Sequence, residues 1–238
     1  VCIAPCPEDA LSFDADHHVI VDRKACTDCG ICIDICPENS TPLAERRTVA
    51  SLLDEVRRAR PFIRGVTVSG GEATLQMDFL VDLFSAIRTD ADLTDLDLRV
   101  DSNGTASPED WDRLAPLVDG VMVDLKALDA PTHLRLTTRR NRRVLTSIRH
   151  LARIGKLAEV RILIMPGYND SEGATTAAAS WLATVAPGVP VALLGYRHAG
   201  VRSEGLHVPE PLVADLEVMA ARFADARSPV SVVAAQSA

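Results

Sequence analysis

The spacing of apolar positions changes character partway along the chain. Up to about residue 42 they come in short pieces, Leu11-Ser-Phe13 and Val19-Ile-Val21, which read as two short strands forming a hairpin around His17-His18. From about Thr48 helical and extended spacing alternate. Val49, Leu52, Leu53 and Val56 share one face of a helix ending near Arg60, and a strand running into Val68 follows. The same reading gives a helix over 77–88, a strand over 96–100 and a helix from Pro108 to about Leu117, with Ser107 as its cap. A strand over 120–123 precedes a long helical stretch, 130–154, broken near Thr137. Strands over 160–164 and 190–194, helices over 174–185 and 210–225, and an edge strand at 230–233 complete the series. Such alternation predicts a parallel sheet covered by helices, barrel-like or doubly wound.

Polar residues gather just after the strands: Ser69, Gly70, Gly71 and Glu72, then Asp101, Ser102 and Asn103, then Asp124 and Lys126, then Asn169 and Asp170, then His198. In parallel α/β folds the carboxyl ends of the strands form the ligand face, so these residues are expected to share a site. Paired glycines at a strand end allow a ligand to lie against bare backbone, and Glu72 beside them offers an acceptor to a cation or an ammonium.

Composition narrows the class. With 47% hydrophobic and 24% charged residues the chain reads as globular. A net charge of −8 leaves no electrostatic footprint for nucleic acid or an anionic membrane, and no apolar run approaches the length of a membrane span. The first residues show no secretory signal pattern, so a cytoplasmic location is expected. The basic run Arg139-Arg140-Asn141-Arg142-Arg143 reads as a solvated helix face.

All six cysteines lie within the first 36 residues, which favours metal thiolates over a disulfide framework. Cys26-x2-Cys29-x2-Cys32-x3-Cys36-Pro37 has the spacing of a bacterial ferredoxin run, in which the fourth cysteine serves a second cluster. Cys2-x3-Cys6-Pro7 matches the last two cysteines of another such run. One cluster is then completed by Cys26, Cys29 and Cys32 with Cys6 crossing over. Cys36 and Cys2 would belong to a second cluster whose other ligands are absent, so the chain is expected to be a fragment or a shortened form. A zinc site is the alternative, disfavoured by the Cys-Pro endings and the duplicated arrangement. The organisation expected is a ferredoxin-type insert over 1–42 and a β/α domain over 43–238.

In its motifs the chain resembles the radical S-adenosylmethionine (SAM) enzymes, and within them the activating enzymes of glycyl radical enzymes. The motifs are Val-Ser-Gly-Gly-Glu-Ala-Thr at 68–74, Asp-Ser-Asn-Gly at 101–104, Asp-Leu-Lys at 124–126, His133 with Leu136-Thr137, and Met-Pro-Gly-Tyr-Asn-Asp at 165–170. The resemblance implies an open, partial β/α barrel with a ferredoxin-like iron–sulfur insert, and SAM held across the strand ends. Ser69, Gly70, Gly71 and Glu72 would hold the methionine amino group. Asp101, Ser102, Asn103 and Asp124, with the Met122 carbonyl, would hold the polar end of SAM or a monovalent cation. Lys126, after Leu125, would meet the carboxylate, and Arg161 is a further contact. It also implies 4Fe–4S clusters, a flavodoxin- or ferredoxin-type electron donor and a glycyl radical enzyme as protein substrate. Two departures stand out: no C-x3-C-x2-C loop is present, and the histidine of the sixth strand aligns with Arg197, next to His198. Rival readings are a ferredoxin head on a barrel without chemistry, and a Schiff-base aldolase using Lys126.

Overall fold

The computed structural model describes residues 3–15, 17–37, 41–42, 44, 46–198, 208–225 and 228–233; Cys2 lies outside them. The chain divides into two units, Val1–Thr48 and Val49–Ala238.

In the first unit, β1 (Leu11–Phe13) and β2 (Val19–Val21) pair antiparallel in the register Leu11↔Val21, Ser12↔Ile20 and Phe13↔Val19. Asp14 organises the turn: its carbonyl accepts from the His17 N–H at 3.2 Å and its carboxylate from the His18 N–H at 2.8 Å. Both histidines are exposed turn residues. The cysteine loop then enters one short helix, α1 (Ile31–Asp34), with Gly30 in the left-handed region at φ 79°. The unit has little apolar core of its own, since Ala10 and Leu11 are its buried hydrophobic residues among those described.

The second unit begins with α2 (Val49–Ala59) and alternates strand and helix: β3 (Gly65–Val68), α3 (Met77–Thr89), β4 (Asp97–Ser102), α4 (Pro108–Leu114) and β5 (Gly120–Asp124). Two helices follow, α5 (Ala130–Thr137) and α6 (Arg142–Arg153), then β6 (Leu157–Ile164), α7 (Glu172–Val185), β7 (Val191–Gly195), α8 (Val213–Asp225) and β8 (Val230–Val233). The expected break in the long helical stretch falls at Thr138, which caps α5 in the left-handed conformation at φ 59°.

The six strands hydrogen-bond in chain order, every pair parallel. Parallel strands need crossovers, these are right-handed, and an order that never reverses lands every helix on the same side. The helices accordingly touch their neighbours in the order α2, α3, α4, α6, α7, α8. Among the described residues β3 and β8 stay unpaired edges, so the sheet is an open partial barrel rather than a closed one.

Period-two burial assigns the two faces. On β4, Leu98, Val100 and Ser102 are buried while Asp97, Arg99 and Asp101 are half-exposed. On β6, Val160, Ile162 and Ile164 point into the core and Glu159 and Arg161 to the other face. The helices fill the core side with residues at helical spacing, such as Met77, Leu80, Phe84 and Ile87 of α3. Trp111 of α4 is fully buried and donates its indole N–H to Ser147 Oγ of α6 at 2.8 Å, which fixes one helix against the other without an orphaned donor. Ser107 and Asp110 form a reciprocal capping box at the start of α4, and Asp129 and Ser171 cap α5 and α7.

Candidate functional site

Beyond β3 the chain turns through Ser69-Gly70-Gly71-Glu72 into a single 3-10 turn, Ala73–Gln76. Gly70 has φ 150°, a conformation L-residues rarely adopt, and a Cβ added at Gly70 or Gly71 would meet nothing within 4 Å. Bare backbone therefore faces open space at the strand end. Glu72 turns inward, and its carboxylate accepts four hydrogen bonds. Oε1 accepts from Thr74 N (3.2 Å), Thr74 Oγ1 (2.5 Å) and Ser102 Oγ (2.8 Å), and Oε2 accepts from Asn103 N at 2.7 Å. One carboxylate thus ties the turn after β3 to the end of β4.

The half-exposed sheet face carries charge that is paired across strands. Arg161 on β6 donates to Asp101 Oδ2 on β4 at 2.7 Å and to Glu159 Oε1 at 2.8 Å, with Met122 Sδ on the intervening β5 at 2.9 Å. Ser69 Oγ lies 3.3 Å from Asp101 Oδ2. Burial pulls the Arg161 pKa down, but Glu159 and Asp101 outweigh it and leave the guanidinium more firmly protonated than usual. Lys126 donates to Asp124 Oδ2 at 2.7 Å. Asn169 is buried and bridges the ends of β5 and β6: Nδ2 donates to the Lys126 and Leu163 carbonyls at 2.7 and 2.6 Å, and Oδ1 accepts from Met165 N at 2.8 Å.

Beside Lys126 lies a mostly apolar cavity of about 560 Å³, lined by Leu136, Leu163, Met165, Leu194 and Tyr196 among others. The Tyr196 hydroxyl is buried with no hydrogen-bond partner among the described residues. His133 of α5 is also buried, and its Nδ1 has no hydrogen-bond partner among the described residues. Burial holds this imidazole below its usual pKa, opposed by a hydrogen bond to the Ala127 carbonyl and assisted by the Lys126 charge.

The site residues read from the sequence thus fall into three groups. At the ends of β3 and β4, Ser69, Asp101 and Arg161 form one hydrogen-bonded set and Glu72, Ser102 and Asn103 another, the two adjoining through the backbone of β4, while Gly70 and Gly71 contribute backbone. Asp124 and Lys126 form a pair at the end of β5. Leu125 has its side chain in the core, so only its backbone is available, and its N–H donates to the Arg161 carbonyl at 2.8 Å. His198 stands past β7, its ring edge-on to Tyr196 at 5.4 Å and its N–H on Glu210; it makes no hydrogen bond to the other candidates. Glu159, Thr74 and Met122 Sδ were not singled out from the sequence as site groups. Glu159 precedes Arg161 by two on one strand, a spacing that puts both on one face and could have flagged it.

In the first unit, Cys6, Cys26, Cys29 and Cys32 line one small cavity, and Cys36 is not among its lining residues. Burial pushes the Cys32 thiol up in pKa, against backbone N–H groups of Cys32 and Ile33, and Cys29 and Cys26 push it the same way as burial. Thiolates gathered around one cavity call for a cation among them. Among the described residues no three His, Cys, Asp or Glu side chains are arranged around a single metal ion; an iron–sulfur cube holds its thiolates further apart.

The profile of the radical SAM superfamily matches residues 24–178, well over half of the chain. This chain belongs to the radical SAM superfamily. An isethionate sulfite-lyase activating enzyme from Desulfovibrio desulfuricans is 30% identical over 211 residues, 84% of this chain and 65% of the relative. A pyruvate formate-lyase-activating enzyme from Streptococcus mutans is 36% identical over 137 residues, 54% of this chain and 51% of the relative. The chain therefore spans between half and two thirds of these relatives' length. Among solved structures, a domain of pyruvate-formate lyase-activating enzyme from Bacteroides vulgatus superposes with a TM-score of 0.60 at 23% identity, covering 71% of this chain and 98% of that one; it supports the fold.

Radical SAM proteins use a 4Fe–4S cluster together with SAM. The residues present fit both groups in part. Four thiols around one cavity suit a cluster, and the glycine turn with its polar rim suits a zwitterion. No C-x3-C-x2-C run occurs in residues 1–238.

Proposed function

We propose that this chain is the SAM-binding and ferredoxin-type part of an activating enzyme. The parent enzyme would cleave SAM reductively to a 5′-deoxyadenosyl radical that takes hydrogen from a glycine of a partner glycyl radical enzyme. The observation that carries the reading is the network joining the glycine turn, the end of β4 and Arg161 at one sheet rim. Its charge suits the ligand. Glu72, Asp101, Asp124 and Glu159 supply four negative charges against two positive ones from Arg161 and Lys126, an excess of two. SAM at neutral pH carries an ammonium and a sulfonium against one carboxylate.

In this reading Gly70, Gly71 and Glu72 receive the amino group, and Lys126 is shared between Asp124 and the SAM carboxylate. Asp101, Ser102, Asn103 and Asp124 form the polar wall, where a monovalent cation would sit near the Met122 carbonyl. The cavity beside Lys126 takes the adenosyl end, with Tyr196 and His198 at its margin. Cys6, Cys26, Cys29 and Cys32 hold one cluster, Cys36 and Cys2 serve a second, and a flavodoxin- or ferredoxin-type donor supplies electrons. The clusters supply the one-electron chemistry when bound; the protein supplies orientation and a dry pocket.

Equilibrium dialysis against labelled SAM tests this. Binding that falls at least about tenfold in Asp101→Ala and Lys126→Ala, each worth roughly one charged hydrogen bond, is the expected result. Unchanged binding in both, or no binding by the parent chain, overturns the reading. Lacking the C-x3-C-x2-C run, residues 1–238 should bind SAM without releasing 5′-deoxyadenosine.

A further inference from the structure

Several arginines of the second unit are paired with acids. Arg57, Arg60, Arg88, Arg99, Arg113 and Arg161 each reach an aspartate or a glutamate. Others are not, and four of these lie together: Arg139, Arg140, Arg142 and Arg143 are exposed and make no ion pair among the described residues. They do not lie along one helix face, as the sequence led us to expect. They straddle the start of α6, where Asn141 is buried and donates to the Ala127 and Leu128 carbonyls instead of capping the helix. Positive charge at that end opposes the helix dipole and repels itself, so the chain tolerates a local cost inside a protein of net charge −8.

The corner adjoins the rim. Arg142 and Arg143 line a groove of about 610 Å³ whose other wall is Thr74, Leu75 and Thr105, the residues just past the Glu72 turn and the end of β4. Asp110, the acid in that groove, is occupied by Ser107 and lies 3.6 Å from Arg113. Leu75 is 82% exposed there, an apolar side chain beside free guanidinium groups. Exposed leucine next to unpaired arginine suits a peptide with carboxylates and an apolar anchor better than a small inorganic anion.

We propose that this corner is a docking face for an acidic segment of the partner protein, carrying its glycine to the adjoining rim. The partner's identity rests on the function proposed above; the face itself does not. The probe is a short fluorescein-labelled peptide alternating glutamate with glycine and leucine, followed by anisotropy at low and physiological salt, with its glutamine counterpart as control. SAM binding is measured on the same preparations. The expected result is salt-sensitive binding of the glutamate peptide that weakens roughly tenfold or more in Arg142→Ala/Arg143→Ala, falls further on Leu75→Ser, and leaves SAM binding unchanged. Equal binding of the glutamine peptide, unaltered binding by the double variant, no peptide binding by the parent chain, or full displacement by inorganic phosphate at equal charge would each overturn the docking face. Loss of SAM binding by the parent chain with peptide binding intact would instead remove the function proposed above and leave the face standing.

Discussion

Arg161 on β6 reaches over β5 to hold Asp101 on β4 at 2.7 Å, a contact between residues 60 positions apart in the chain. Two strand spacings are roughly 9.6 Å, so a long side chain is needed to make it. Its guanidinium also engages Glu159 and the Met122 sulfur, so four side chains on three strands are tied together.

Replacing Arg161 by Met keeps the stem and removes the fork. Asp101 and Glu159, each about a quarter exposed, then face one another's charge without the guanidinium between them. We expect a loss of about 1–3 kcal/mol in urea unfolding and a weaker grip on SAM. Stability unchanged to within a few tenths would show the pair to be ornamental.

Glu72→Gln tests the tie between the glycine turn and β4. An amide presents only one oxygen where four donors now converge, so an N–H2 group must confront Asn103 N–H or Thr74 and Ser102. The expected cost is about 1–3 kcal/mol, together with faster hydrogen exchange at Asn103.

Asn169→Ala removes three hydrogen bonds from a side chain 5% exposed and leaves the Met165 N–H and the Lys126 and Leu163 carbonyls unpaired. Roughly 2–4 kcal/mol should be lost. Because Lys126 is held through its carbonyl, SAM affinity should fall too, although Asn169 does not contact the rim network.

His133 gives a pH dependence of known sign. Its folded pKa lies below the ordinary 6.5 because the ring is buried, so between the two values the unfolded chain binds more protons than the folded one. Its contribution to stability is complete above about pH 6.5 and is lost as pH falls toward the folded pKa. Urea unfolding at pH 7.5 and 5.5 checks this: the drop in stability should be smaller in His133→Gln than in the parent chain.

Iron removal should separate the two units. With Ala10 and Leu11 as the buried apolar residues described in residues 1–48, that unit is expected to lean on a bound cluster, whereas the second unit has a core running from Ala73 to Phe223. Chelation should release amide protection around Leu11–Val21 and leave the main unfolding transition in place. In reconstituted protein, Cys29→Ser should abolish or reshape the cluster spectrum, while Cys36→Ser, outside the cavity lined by Cys6, Cys26, Cys29 and Cys32, should retain it.

Much of this was legible in advance because the relevant physics is local. Hydrophobic period alone distinguishes α3, with Leu80 and Ile87 on one face, from β4, with Leu98 and Val100 alternating against Asp97 and Arg99. Cap chemistry at Ser107 marks the start of α4 at Pro108. The cysteine spacing is a covalent pattern that survives any packing. So the chain's order of elements was set by the residues themselves, and the polar strand ends and the cysteine spacing were plain from the chain.

Tertiary structure decided the rest, because it depends on which distant groups meet. Nothing local says that Arg161 will find Asp101 across a strand, that Glu72 will close on Ser102 and Asn103, or that the side chain of Leu125 will turn into the core. The basic run after α5 is the sharpest case. Its charge was plain from the chain, but only the fold leaves it without an ion pair among the described residues and sets it beside the rim, since pairing is a matter of geometry rather than of composition.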